Sequence, residues 1–162
     1  MKIGFIGTGN MAQAIINGLL EKGTVAKEDI FVSSGHYENA KRFADKIGVT
    51  ACKSNQEVAE QVETILLAVK PKIIDQVLKD LRSYSKKRLF ISIASGKAIS
   101  DLTESLNNLD AKIIRVMPNV NVSVGAGVSA ICKSRTVTDS ELKQATDIFE
   151  AIGSVYQLAE DD

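Results

Sequence analysis

The sequence has 162 residues, which is enough for one domain, or for one domain and a fragment of another. With 20 basic and 20 acidic residues the net charge is near zero, so no basic field is available for nucleic acid. No apolar run is long enough for a membrane span, and a core strand begins too early for a cleavable signal peptide. Cys52 and Cys132 form no C-x-x-C pair, so we expect buried, reduced thiols in a cytoplasmic protein.

The first 23 residues have the order strand, glycine turn, helix. Residues 3–6 are a short uncharged apolar run, typical of a strand buried on both faces. The motif G-x-G-x-x-A follows at Gly7, Gly9 and Ala12, and a helical apolar pattern then runs to Gly23, a predicted C-terminal cap. This order is the context that a dinucleotide-binding glycine motif requires.

The chemistry of a pyrophosphate explains each position of this motif. The free N–H groups and the dipole at a helix N-terminus stabilise its charge, provided that it can approach the backbone closely. Gly7 allows a tight turn, Gly9 removes the Cβ that would face the phosphate, and Ala12 lets the helix pack close to the strand. The motif therefore indicates nucleotide binding, and the alternative is a plain turn between strand and helix.

The rest of the chain alternates predicted strands and helices. Strands are predicted over 29–33, 49–52, 64–69, 89–93, 112–116, 128–132 and 155–158. Four residues mark helix ends: Asn55 and Thr138 as N-caps, Pro71 in a first turn, and Gly153 as a stop. The helix at Pro71 has a predicted inner face of Ile73, Ile74, Val77, Leu78 and Leu81. Such alternation predicts an α/β fold with a doubly wound, mostly parallel sheet, a Rossmann-type NAD(P)-binding domain over residues 1–158.

Ligands of such sheets bind at the carboxyl ends of the strands, which directs attention to the loops that follow them. The candidate loops are 7–11, 33–36, 69–71, 94–96 and 117–119. A loop that binds NAD normally has Asp or Glu at the end of the second strand, but here no acid occurs before Glu38. We therefore expect NADPH, with NADH tolerated, and a 2′-phosphate contacted by hydroxyls, by His36 and by Lys41 or Arg42. The alternative is an ordinary serine turn with a solvated His36.

Motifs for other chemistry are missing from the sequence. It has no P-loop, G-x-S-x-G, H-E-x-x-H or Cys/His cluster, so we predict no metal site and assign no catalytic residue. His36 is the only histidine and lies where the adenine ribose is expected. Lys70 is either a lysine extending from a helix start into solvent or a contact to the cofactor or the substrate. Asn119 is either a loop cap or a donor near the nicotinamide carboxamide.

Four segments of the chain resemble the pyrroline-5-carboxylate reductases, the family of the last step of proline synthesis. They are GFIGTGNMA at 4–12, LAVKP at 67–71, SIASG at 92–96 and RVMPN at 115–119. The order and spacing are those of the family, and AVKP and MPN are far more specific than the glycine motif. The resemblance implies reduction of 1-pyrroline-5-carboxylate to L-proline by hydride from NADPH or NADH.

The resemblance also assigns roles to individual positions. The pyrophosphate would be bound by Gly7, Thr8, Gly9, Asn10 and Met11. The 2′-phosphate falls to Ser34 with its neighbours Ser33 and His36. Asn55 would lie by the adenosine. Ala68, Val69 and Lys70 would lie along the ribose and nicotinamide, and Ser95 near the nicotinamide. Asn119 falls where substrate and nicotinamide meet.

The chain departs from the family in two respects. Val120-Asn121 replaces the usual Thr-Pro of the substrate-side loop. Family members also continue into an all-helical domain that forms the homo-oligomer and supplies most of the substrate pocket. We therefore expect 159–162 to be the start of that domain and the chain alone to be weakly active or inactive. The alternatives are a non-catalytic nucleotide-sensing module, or the first domain of an F420-dependent NADP reductase or a β-hydroxyacid dehydrogenase.

Overall fold

The computed structural model describes residues 1–118 and 127–160. The strands are β1 (Ile3–Ile6), β2 (Ile30–Ser33), β3 (Thr50–Ala51), β4 (Thr64–Leu67), β5 (Leu89–Ser92), β6 (Lys112–Pro118), β7 (Gly127–Lys133) and β8 (Gly153–Gln157). The helices are α1 (Asn10–Lys22), α2 (Tyr37–Ile47), α3 (Asn55–Gln61), α4 (Pro71–Asp80), α5 (Ile99–Ser105) and α6 (Asp139–Glu150).

All eight strands belong to one sheet with the order β3-β2-β1-β4-β5-β6-β7-β8. The first six are parallel, β7 is antiparallel to β6, and β8 is parallel to β7. This confirms the predicted doubly wound, mostly parallel α/β fold. The strand order reverses between β1 and β4, so a crevice is expected where the loops after these strands diverge.

Helices cover both faces of the sheet. On one face α1, α2 and α6 pack on alternate residues of the strands, among them Phe5 and Ile114. On the other face α3, α4 and α5 pack on the intervening residues, among them Ile65 and Phe90. These four side chains have no exposed surface, and burying each contributes about 1.5–3 kcal/mol. The two cores fix the strand ends, and with them the loops at the candidate site.

Three local predictions are wrong. Ser54, not Asn55, caps α3, since its hydroxyl accepts a hydrogen bond from the Glu57 N–H at 3.0 Å. Ile73 lies beside the buried stripe of α4 rather than in it and is 44% exposed. Gly153 does not stop α6, which ends at Glu150, but begins β8. A Cβ at Gly153 would overlap the backbone of β7, so this glycine is required by close strand pairing.

Other local predictions are confirmed. Pro71 is the first residue of α4, and the Thr138 and Glu141 side chains form the predicted capping box of α6. Cys52 and Cys132 are both buried and free. Burial raises the pKa of the Cys52 thiol to about 11, and burial also raises the pKa of Cys132. Within residues 1–118 and 127–160, no helix is long and apolar enough to cross a membrane.

Candidate nucleotide-binding site

The glycine turn after β1 lies between the ends of β2 and β4. Its first residue, Gly7, has φ = 107°, and its N–H donates to the Ser33 carbonyl at 2.8 Å. A Cβ at Gly7 would overlap the carbonyl group of Ala68. Because both neighbouring strand ends confine the turn, the fold itself demands glycine at this position.

The second glycine of the motif faces open space. Gly9 is the N-cap of α1, and a Cβ placed on it would meet no atom within 4 Å. No side chain caps α1, and its first turn contains no acidic residue. The side-chain amide of Gln13 donates to the Thr8 carbonyl at 2.7 Å and so fixes the turn. A helix start with unused N–H groups and an open approach is suited to an anion.

A cleft of about 470 Å³ lies between this helix start and α2. It is lined by Thr8, Gly9, Gln13, Asn39, Arg42, Phe43 and Lys46. Of the two cations that the sequence offered, Lys41 is held 3.0 Å from the Asp45 carboxylate, whereas Arg42 lines the cleft. Residues 39, 42 and 46 are spaced so that they lie on one face of α2, and this spacing is the sequence pattern that could have predicted the cleft.

The residues after β2 occupy different environments. Ser33 has no exposed surface, and its hydroxyl donates to the Asn55 side-chain oxygen Oδ1 at 2.8 Å. The Ser34 hydroxyl donates to the His36 carbonyl at 2.6 Å, and the His36 side chain is exposed. The structure thus contains the serine turn that the sequence left open. Ser34 and His36 lie at the surface, whereas the Ser33 hydroxyl is already used inside the fold.

The predicted residues after β4 and β5 lie at the same edge of the sheet. The Ala68 N–H donates to the Ile6 carbonyl at 2.8 Å, which extends the pairing of β1 and β4. Val69 is half-buried against the core, and Lys70 is the exposed N-cap of α4. Ser95 is exposed in the turn that follows β5. The fold therefore brings these residues to the edge that carries the glycine turn.

An ion pair that the sequence did not suggest steadies the turn at Ser95. The Lys97 ammonium lies 3.0 Å from Oδ2 of Asp75 on α4, and the Ser105 hydroxyl donates to Oδ1 of Asp75. These hydrogen bonds, that from Lys97 first, lower the pKa of the Asp75 carboxyl. The turn is thereby tied to α4 and α5, which cover the same face of the sheet.

Two predictions concern other parts of this edge. Asn119, the predicted substrate-side residue, lies outside the described residues; β6 itself ends at Pro118. Among residues 1–118 and 127–160, no group of three or more His, Cys, Asp or Glu residues could hold a metal ion. The described site thus consists of backbone donors, hydroxyls, an amide and cations.

The doubly wound sheet, together with a helix that begins at a glycine-rich turn without a side-chain cap, is typical of dinucleotide-binding domains. Residues 2–96 match the family described as NADP oxidoreductase, coenzyme F420-dependent. The chain belongs to this family.

Individual proteins that are similar to nearly the whole chain are named pyrroline-5-carboxylate reductase. The Escherichia coli K12 protein is 38% identical over 160 residues, which cover 98% of this chain and 59% of that protein. The NADP-bound Plasmodium falciparum reductase has a TM-score of 0.88 at 31% identity, over 100% of this chain and 59% of that one. The Coxiella burnetii reductase has a TM-score of 0.91 at 31% identity, over 97% of this chain and 58% of that one. These matches confirm the resemblance seen in the four motifs, and the chain spans under two thirds of these relatives.

Proposed function

We propose that this chain is the cofactor-binding domain of an NAD(P)H-dependent pyrroline-5-carboxylate reductase. The reaction is hydride transfer to the C=N bond of 1-pyrroline-5-carboxylate, which gives L-proline in proline biosynthesis. The observation that carries the proposal is the uncapped start of α1, where Gly9 leaves open space beside the unused N–H groups. The similarity to reductases over nearly the whole chain supplies the substrate class.

The residues at this edge fit a dinucleotide. In the proposal, the backbone from Gly7 to Met11 binds the pyrophosphate through N–H groups at the start of α1. Ala68, Val69 and Lys70 lie along the ribose and nicotinamide, and Ser95 lies near the nicotinamide. The fit rests on Gly7, whose positive φ lets the turn pass between two strand ends, and on the open approach to Gly9.

NADPH is the preferred cofactor in this proposal. The end of β2 lacks the acid that would repel a 2′-phosphate, a repulsion of up to about 4 kcal/mol between unit charges in close contact near a surface. Half-buried Ser34 and exposed His36 lie beside it, and Arg42 and Lys46 add positive charge along the adjoining cleft. Backbone and hydroxyl donors bind NADH as well, so NADH is tolerated.

The domain binds and orients the cofactor. A bound NADPH supplies the hydride. In the proposal, the start of α1 binds the pyrophosphate at the centre of the dinucleotide, the end of β2 lies at its adenosine end, and the turns after β4 and β5 lie at its nicotinamide end. We assign no catalytic residue within the described chain. We propose that the part of the longer relatives beyond the match corresponds to a further domain, which begins at residues 159–162. That domain would supply the substrate pocket, the proton donor and the contacts of the homo-oligomer. We also propose a cytoplasmic location.

The proposal is tested in two stages. First, the chain is titrated with NADPH and NADH by calorimetry, and NADPH is expected to bind. Second, the chain is fused to the part of the Escherichia coli relative beyond the match, and oxidation of NADPH is followed with 1-pyrroline-5-carboxylate. The fusion is expected to turn over and to stop doing so when Gly9 is replaced by valine. A folded fusion that binds NADPH but leaves this substrate unreduced would contradict the assignment.

A second candidate is reduction of coenzyme F420 with NADPH. The name of the matching family favours it, whereas the relatives with nearly full coverage of this chain favour the pyrroline substrate. The same fusion is assayed with oxidised F420. Turnover of F420 without turnover of 1-pyrroline-5-carboxylate would support this candidate over the first.

A further inference from the structure

A single buried residue connects the glycine turn to α3. Ser33 is the last residue of β2 and has no exposed surface. Its carbonyl accepts the hydrogen bond from the Gly7 N–H, and its hydroxyl donates to the Asn55 Oδ1, both at 2.8 Å. The buried O–H needs an acceptor, and the described hydrogen bonds give it Asn55 Oδ1. Turning the amide would set its N–H groups against the hydroxyl and leave the O–H without that acceptor, which is costly.

The hydrogen bond determines what Asn55 can offer to a ligand. A carboxamide has one acceptor oxygen and two N–H donors on its nitrogen. Here the oxygen is engaged by Ser33, and none of the described groups accepts from the Asn55 nitrogen. The side chain is also free of capping, because Ser54 caps α3. Half-buried Asn55 therefore presents donors, not an acceptor, beside the end of β2.

The chemistry at this place distinguishes two ribose substituents. In a domain of this type the adenosine ribose lies at the end of the second strand. A 2′-hydroxyl is best recognised by an acceptor such as a carboxylate, whereas a 2′-phosphate offers only acceptor oxygens and requires donors. Were the Asn55 amide turned over, its oxygen would face the ribose and favour the hydroxyl.

We propose that Ser33 is a positioning residue that fixes Asn55 as a hydrogen-bond donor, and that this pair selects a 2′-phosphorylated adenosine. The inference rests on the proposed function, since it assumes that a dinucleotide occupies the site. It gives Ser33 an indirect role in place of the direct phosphate contact that the sequence suggested. Ser33 holds the glycine turn through its carbonyl and the amide through its hydroxyl.

The test compares the affinities of the chain and its variants for NADPH and NADH, measured by calorimetry. Ser33→Ala frees the amide, so the ratio of NADPH to NADH affinity is expected to fall about fivefold, the usual effect of one such hydrogen bond. Asn55→Asp replaces the donor with a charged acceptor and is expected to reverse the preference in favour of NADH. Thermal melting of each variant confirms that it is folded.

Ser92→Ala is the matched control. Ser92 is also a fully buried serine at the end of a parallel strand, and its side-chain oxygen accepts from the Ala94 N–H at 3.2 Å. Because it lies at the end of β5, its loss is expected to leave the ratio of the two affinities unchanged. Equal changes in both affinities for Ser33→Ala, or an unchanged preference in Asn55→Asp, would overturn the inference while the proposed function stood. Failure of the unmodified chain to bind either nucleotide would contradict both.

Discussion

The two glycines of the first turn can be separated by substitution, because one is required by the fold and the other by the ligand. In Gly7→Ala, a φ of 107° costs an alanine about 1–2 kcal/mol. The new methyl group also overlaps the backbone carbonyl of Ala68, and forced repacking of this kind costs about 1–3 kcal/mol. The free energy of unfolding should therefore fall by about 2–5 kcal/mol.

Gly9→Ala provides the comparison. Gly9 has φ = −75° and open space around it, so the expected loss is only about 0.5–1 kcal/mol, from the poorer N-cap. Both variants are unfolded in urea and followed by circular dichroism. Gly9→Val is then titrated with NADPH, and binding should be lost while the fold remains. A Gly9→Ala variant less stable than Gly7→Ala would contradict the role of Gly7 in the fold, and a Gly9→Val variant that binds NADPH as the unmodified chain does would contradict the role of Gly9 in binding.

Three further predictions concern charge, capping and thiol chemistry. Arg42→Leu should weaken NADPH binding about fivefold in calorimetry and NADH binding little, since Arg42 lines the cleft beside α1. Lys41→Leu, whose charge is paired with Asp45, should change the NADPH affinity less, and a larger effect of Lys41→Leu would contradict this assignment. Thr138→Ala removes a capping hydrogen bond and should lower the free energy of unfolding by about 1 kcal/mol in urea titrations; an unchanged midpoint would show that the cap contributes nothing. Burial, with a smaller effect of a neighbouring carboxylate, raises the pKa of Cys52 from 9.0 to about 11, so the folded chain holds this proton more tightly than the unfolded chain. The contribution of this thiol to the free energy of unfolding is fully present below the pKa of Cys52 in the unfolded chain and is lost as pH rises toward 11. At neutral pH, Cys52 should resist a thiol reagent until urea unfolds the chain. Rapid labelling of the native chain would contradict this.

The sheet and most helix ends could be predicted because their signals are local. Uncharged apolar runs gave the buried parallel strands, and the Thr138–Glu141 pair marked the start of α6 within four residues of sequence. The two wrong helix assignments at α3 and α4 have physical reasons. Ser54 and Asn55 both suit an N-cap, and Ser54 takes that role while the Asn55 oxygen is held by Ser33. Ile73 lies next to the inner stripe of α4, a difference that apolar character alone does not reveal.

The interior of the candidate site could not be read from the sequence, because it depends on contacts between distant segments. The Ser33–Asn55 hydrogen bond joins residues 22 positions apart, and Lys97 and Asp75 are also 22 positions apart. Whether Lys41 or Arg42 faces the cleft depends on the rotation of α2 about its axis and on the pairing of Lys41 with Asp45. Sequence motifs thus indicated which loops meet, while the donors and acceptors within them required the folded chain.

Whether these strand-end loops bind a dinucleotide is tested most directly by a calorimetric titration of the unmodified chain with NADPH and NADH side by side. Both are expected to bind at a single site, and NADPH more tightly, because no acid follows the end of β2 before Glu38 and because Arg42 and Lys46 line the cleft beside α1. Tighter binding of NADH, or no binding of either nucleotide, would contradict this expectation.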